Sequence, residues 1–165
     1  MSIVDSIASF VQPWSDFYSH SKVTSAAVIW VHLGALLTGG GLAIASDRVV
    51  LRLRGADVAE RARALRDIAA IHRPIVTALA ISVASGLALL SSDVKTFLVS
   101  PVYWTKMGLV LLLLANGYGV MRSERRLATD PAPASALWKR LSFGAVASIT
   151  LWFGTMLAGV VLMND

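Results

Sequence analysis

The chain has 165 residues, of which 56% are hydrophobic and 15% charged, and its mean hydropathy is +0.66; a soluble globular surface exposes far more charge, so this composition excludes a soluble domain and predicts an integral membrane protein. No cysteine is present, which excludes disulfides, thiolate ligands, iron–sulfur clusters and cysteine nucleophiles and leaves histidine, methionine or oxygen to hold any metal or cofactor. The net charge of +5 is concentrated in two short loops rather than in a stripe beside aromatic residues, which argues against a nucleic-acid partner.

The first predicted element is an amphipathic helix over residues 2–18. Ile3, Val4, Ile7, Phe10, Val11 and Trp14 recur at helical spacing, with Asp5, Ser6 and Ser9 between them. Such a helix lies in the membrane interface, anchored here by Trp14, Phe17 and Tyr18. Pro13 is expected to limit or kink it. The N-terminus lacks the basic flank and small-residue cleavage site of a secretory signal, so the first span is expected to stay in place as a signal anchor.

A span needs about 20 mostly apolar residues. Four segments qualify, over about 24–45, 70–90, 102–121 and 141–163, and predict an all-α four-helix bundle forming a single domain over 1–165. Residues 57–67 (DVAERARALRD) read as a polar extension of the second helix, and residues 129–135 (TDPAPAS) as the linker to the fourth span. Arg48, Arg52, Arg54, Arg61, Arg63 and Arg66 lie between the first and second spans. Arg122, Arg125, Arg126, Lys139 and Arg140 lie between the third and fourth, against only Lys22, Lys95 and Lys106 on the other side. The positive-inside rule then places both termini away from the cytoplasm. Small residues recur four apart, as Ala78, Ser82 and Gly86 on the second span and Gly144 and Ser148 on the fourth, which lets helix backbones approach closely. Gly39, Gly40 and Gly41 weaken the first helix and leave space for a neighbouring helix or a flat ligand.

The polar groups inside these spans are the candidate site. His32 lies in the apolar run AAVIWVHLGALLTGGGLAIA, where an ionisable side chain costs about 2 to 4 kcal/mol and marks a site by default. It falls about eight residues, roughly 12 Å, from the outer end of its helix. Lys106 enters the third span from the same side, so the two occupy neighbouring layers. Two readings stand for each residue. His32 is either a metal ligand or an imidazole bonded to a neighbouring helix, and Lys106 either points inward as a site residue or snorkels to the outer headgroups. At the other end, Arg48, Arg73 and His72 are candidates for an anionic headgroup or porphyrin propionate, or plain topology anchors. His72 is also a weaker candidate for iron, at a depth that one heme iron does not share with His32. Met107 and Met156 offer thioethers that suit Cu(I). Asn116 and Trp152 are expected to make interhelical contacts. No HExxH, phosphate loop, dinucleotide fingerprint or nucleophile–base set occurs.

A histidine in the first span with an arginine sixteen residues later (His32, Arg48), Arg73–Pro74 opening the second span, SGLALL at 85–90 and YWTKMGLVLLLL at 103–114 together resemble a membrane family. That family groups HemJ-type protoporphyrinogen oxidases with CopD-like copper-resistance proteins. The likeness covers about residues 28–122; the triple glycine and the SDRV around Arg48 depart from it. The resemblance implies a b-type heme, with the first-span histidine and third-span lysine as functional positions, here His32 and Lys106. The expected protein is a multi-pass protein of a bacterial inner membrane that assembles as a homo-oligomer. It is expected to bind heme b through His32 and to oxidise a porphyrinogen or exchange electrons with quinone. Two alternatives remain: a CopD-like copper-handling or transport protein using His32, Met107 and Met156, and a cofactor-free accessory subunit.

Overall fold

The computed structural model describes residues 3–129 and 134–164. These residues are helical almost throughout and include no strand. The helices are α1 (Ile3–His20), α2 (Lys22–Arg52), α3 (Val58–Ser92), α4 (Val94–Val99), α5 (Pro101–Thr129) and α6 (Ala134–Leu162), with a 3-10 turn at Leu53–Gly55 between α2 and α3. Three of them are long and apolar enough to cross a membrane: Lys22–Gly55, Val58–Ser92 and Ser135–Leu162. The helix covering the expected span 102–121 is not in that set. Lys106, Asn116, Tyr118 and three glycines dilute the leucines of α5, so it is long enough but less apolar than its neighbours.

Local chemistry sets the helix boundaries. Ser21 caps α2, its Oγ accepting from the Thr24 amide at 3.2 Å. Asp57 caps α3 through the Glu60 amide at 2.8 Å, and Asp93 caps α4 through Thr96 at 3.2 Å, in each case satisfying an amide that has no partner inside its helix. The polar stretch after Asp57 is the first part of α3, as its sequence predicts. α4 was not anticipated; six residues carry too little periodicity to read. The linker at 129–135 lies largely outside the described residues, and α6 begins at Ala134.

α1 continues through Pro13 to His20 instead of ending there. Tertiary bonds just beyond the proline hold it: Trp14 Nε1 donates to the Ala88 carbonyl at 2.9 Å and Ser15 Oγ to that of Ser92 at 2.7 Å. Asp5 and Lys95 add an exposed ion pair at 3.4 Å, which contributes little. Trp14→Phe keeps the ring and loses the donor. A net hydrogen bond stabilises by about 1 kcal/mol, so faster backbone amide exchange confined to α1 is expected, with the exchange of α2 to α6 unchanged.

The helices meet where side chains are smallest. A β-carbon on Gly39 would stand 3.2 Å from that of Ala78, joining α2 to α3. One on Gly40 would stand 3.1 Å from the Trp152 ring, joining α2 to α6, and one on Gly144 would meet Val120 at 2.7 Å, joining α5 to α6. Asn116 Nδ2 donates to the Gly144 carbonyl at 2.9 Å, so Asn116 and Trp152 make the interhelical contacts expected of them. Two of the three consecutive glycines are thus filled by neighbouring helices, and Gly41 alone of the three has open space beside it. α3 and α5 touch little.

The main apolar cluster sits at the arginine-rich end, where Val50, Leu53, Leu65, Ile68, Leu127, Trp138, Leu141 and Ala145 pack together. Arg61 does more there than mark topology: it donates to the Leu53 carbonyl at 3.1 Å and the Arg54 carbonyl at 2.7 Å, with its guanidinium 4.8 Å from the Trp138 ring centre. Elsewhere the long helices turn large apolar side chains outward, Trp30 and Phe143 each being 75% exposed and Leu37 74%.

Candidate functional site

His32 faces α3. Its Nδ1 lies 3.0 Å from the Ser82 carbonyl and 3.0 Å from Ser85 Oγ, and its Cε1 packs where a β-carbon on Gly86 would stand 3.2 Å away. The expected four-residue stripe on the second span therefore has two uses: Ala78 receives α2, while Ser82 and Gly86 receive the imidazole. A carbonyl oxygen only accepts, so Nδ1 carries a proton, and in the neutral imidazole Nε2 then keeps its lone pair. Ser85 Oγ directs its own proton at the Ile81 carbonyl, 2.7 Å away, and is left to accept from Nδ1.

Lys106 is half-buried and turned toward α6, its Nζ 3.5 Å from where a β-carbon of Gly159 would be. The depths of the two residues agree. From the contact of Gly40 with Trp152, His32 lies eight residues along α2 and Gly159 seven along α6 in the same direction, about 12 and 10 Å at the helical rise. Lys106 is within electrostatic reach of His32. The structure thus brings into one layer the two residues that the sequence singled out.

Thr155 belongs to the same neighbourhood and was missed. It is 3% exposed, sits four residues before Gly159 on the same face of α6, and its hydroxyl has no hydrogen-bond partner among the described residues. A threonine in a membrane helix ordinarily bonds its own backbone, so nothing in the sequence marks this one.

The remaining candidates are placed elsewhere. Arg48 and Arg73 are exposed at the arginine-rich end; Arg48 follows His32 by sixteen residues, about 24 Å along α2, beyond the reach of a porphyrin bound at His32. His72 Nε2 stands 3.0 Å from Glu124 Oε2, which turns it to a carboxylate rather than toward His32. Met107 is partly buried, while Met156 is 50% exposed and Met163 75%, so the thioethers do not converge in the core. His20 Nδ1 is bonded within α1 to the Asp16 carbonyl at 2.7 Å. Among the described residues no three His, Asp or Glu side chains gather in an arrangement that holds a metal ion. No protein-family model, curated protein or solved structure matches the chain.

Proposed function

We propose that this protein is a membrane-embedded redox protein that binds a heme b through His32. The observation that carries the reading is the His32 hydrogen bond. Histidine ligands hold a metal through one ring nitrogen while the other donates to a carbonyl or carboxylate, which fixes the tautomer and the ring plane. His32 has that arrangement within a half-buried layer of an apolar helix.

The reading includes a four-span bundle, with α5 as the least apolar span, packed through Gly144 and Asn116 against α6. α1 is its interfacial helix: Ile3, Phe10 and Phe17, seven residues apart, are 81%, 86% and 57% exposed, forming an exposed apolar stripe along it. Both termini lie outside the cytoplasm, in a bacterial inner membrane, and the protein is a homo-oligomer. When bound, the heme supplies one-electron chemistry. The chain's own residues hold and orient it. Ser82 and Gly86 keep the imidazole in place, Trp152 closes the layer below, and the Lys106 ammonium attracts an anionic group of a membrane-soluble reductant such as a porphyrinogen; a quinol is the neutral counterpart.

The test is a reduced-minus-oxidised absorption spectrum of detergent-purified protein from heme-sufficient cells. A sharp Soret and α band that is lost in His32→Ala is expected. A colourless parent overturns the reading and leaves copper handling or an accessory role, which a metal assay separates. Lys106→Met is expected to keep the spectrum while raising KM for an anionic reductant about tenfold, which corresponds to about 1.4 kcal/mol, and to leave KM for a neutral quinol unchanged.

A further inference from the structure

At the arginine-rich end, two buried carboxylates from different helices lie within electrostatic reach of each other. Asp47 of α2 is 5% exposed and Glu124 of α5 is 6% exposed, and the charge of Glu124 acts on Asp47. One oxygen of each, Asp47 Oδ2 and Glu124 Oε2, lacks a hydrogen-bond partner among the described residues. Ser148 of α6 hydrogen-bonds the other Asp47 oxygen. From α3, His72 brings its Nε2 to 3.0 Å from Glu124 Oε2, at ion-pair distance but without hydrogen-bond alignment. That contact is the one ion pair either carboxylate makes among the described residues. Arg48, Arg122, Arg125 and Arg126 are nearby in sequence but exposed. The surroundings are otherwise the apolar cluster around Val50, Leu127 and Leu141.

Two carboxylates buried together cannot both stay ionised without a counter-charge for each, and here one cation candidate serves two anions. The basic partner stands on Glu124; Asp47 has a hydroxyl and an oxygen with nothing opposite it. We propose that Asp47, Glu124 and His72 form a proton-binding site in which the two carboxyls together hold one proton, lodged on Asp47. The proton comes from bulk water through His72, whose side chain is 25% exposed, and its arrival takes the pair from two negative charges to one. The site stands independently of heme at His32, about 22 Å away along α2.

The test is the infrared spectrum of the purified protein at about pH 6, where exposed carboxylates are ionised and a protonated-carboxyl C=O stretch reports a buried acid. The parent is expected to show that band, and Asp47→Asn, which keeps the shape and the Ser148 partner, to lose it. Because a variant can fail to fold, isotope labelling of side-chain carboxyls in the unaltered protein gives a second readout: label in aspartate shifts the band and label in glutamate leaves it in place. Absence of the band in the parent, its survival in folded Asp47→Asn, or a shift with glutamate label alone overturns the proposal.

Discussion

If His32 holds a heme as proposed, Gly86→Leu is expected to abolish heme binding although His32 itself is untouched. A β-carbon at Gly86 stands 3.2 Å from His32 Cε1, already tight, and the rest of a leucine occupies the volume of the imidazole. The ring leaves the Ser82 carbonyl, and with that bond goes the constraint on tautomer and ring plane. Loss of such a supporting contact lowers metal affinity by about 10- to 100-fold, and displacement of the ring removes the ligand altogether. The Soret band of Gly86→Leu is therefore expected to match that of His32→Ala. Gly34→Leu, on α2 with nothing within 4 Å of its added β-carbon, is expected to keep the parent spectrum. If Gly86→Leu folds and binds heme normally, His32 does not hold it from this rotamer.

Gly40→Leu is expected to damage the fold severely. Replacing a helical glycine by a better helix former contributes up to about 1 kcal/mol of stability. At Gly40 this gain meets three ring atoms of Trp152, at 3.1, 3.2 and 3.3 Å from the β-carbon, and Trp152 is 3% exposed with no room to retreat. Overpacking costs about 1 to 3 kcal/mol, so repulsion wins and α2 separates from α6. Gly41→Ala is the matched control: its β-carbon meets nothing within 4 Å, so only the helical gain remains. Thermal unfolding in detergent should rank Gly41→Ala at or above the parent and Gly40→Leu well below it; equal midpoints for the two variants would show that the glycine contact with Trp152 is not a tight one.

These pairs also show what could be read from residues alone. His32 stood out because ionisation is costly in an apolar run, and Lys106 because its depth matches; both signals are local. Their partners were silent. Ser82 offers His32 only its backbone carbonyl, and Ser85 and Thr155 are hydroxyl residues that a helix can satisfy internally, so only the approach of α2 and α6 shows how each is placed. The triple glycine announced space without saying what fills it, and two of its three positions prove to hold Ala78 and Trp152. Asp47 and Glu124 are 77 positions apart in sequence, each at a helix end where a charged residue normally meets water. Their burial depends on the apolar cluster that α2, α3, α5 and α6 build together beyond the long apolar segments, and no single helix encodes it. α5 departs from expectation in degree: its leucines were counted, while its lysine, asparagine and glycines lower its apolar character below that of the other long helices.

The central claim is that His32 Nε2 is a heme ligand, and imidazole rescue of His32→Gly tests it most directly. The variant is purified in detergent, and its heme spectrum is recorded before and after addition of imidazole, which fits the volume the side chain vacates. The account predicts a protein without a Soret and α band that regains both with imidazole and not with an equal concentration of a non-ligating salt. A His32→Gly protein that keeps the parent's bands before any imidazole is added would contradict it.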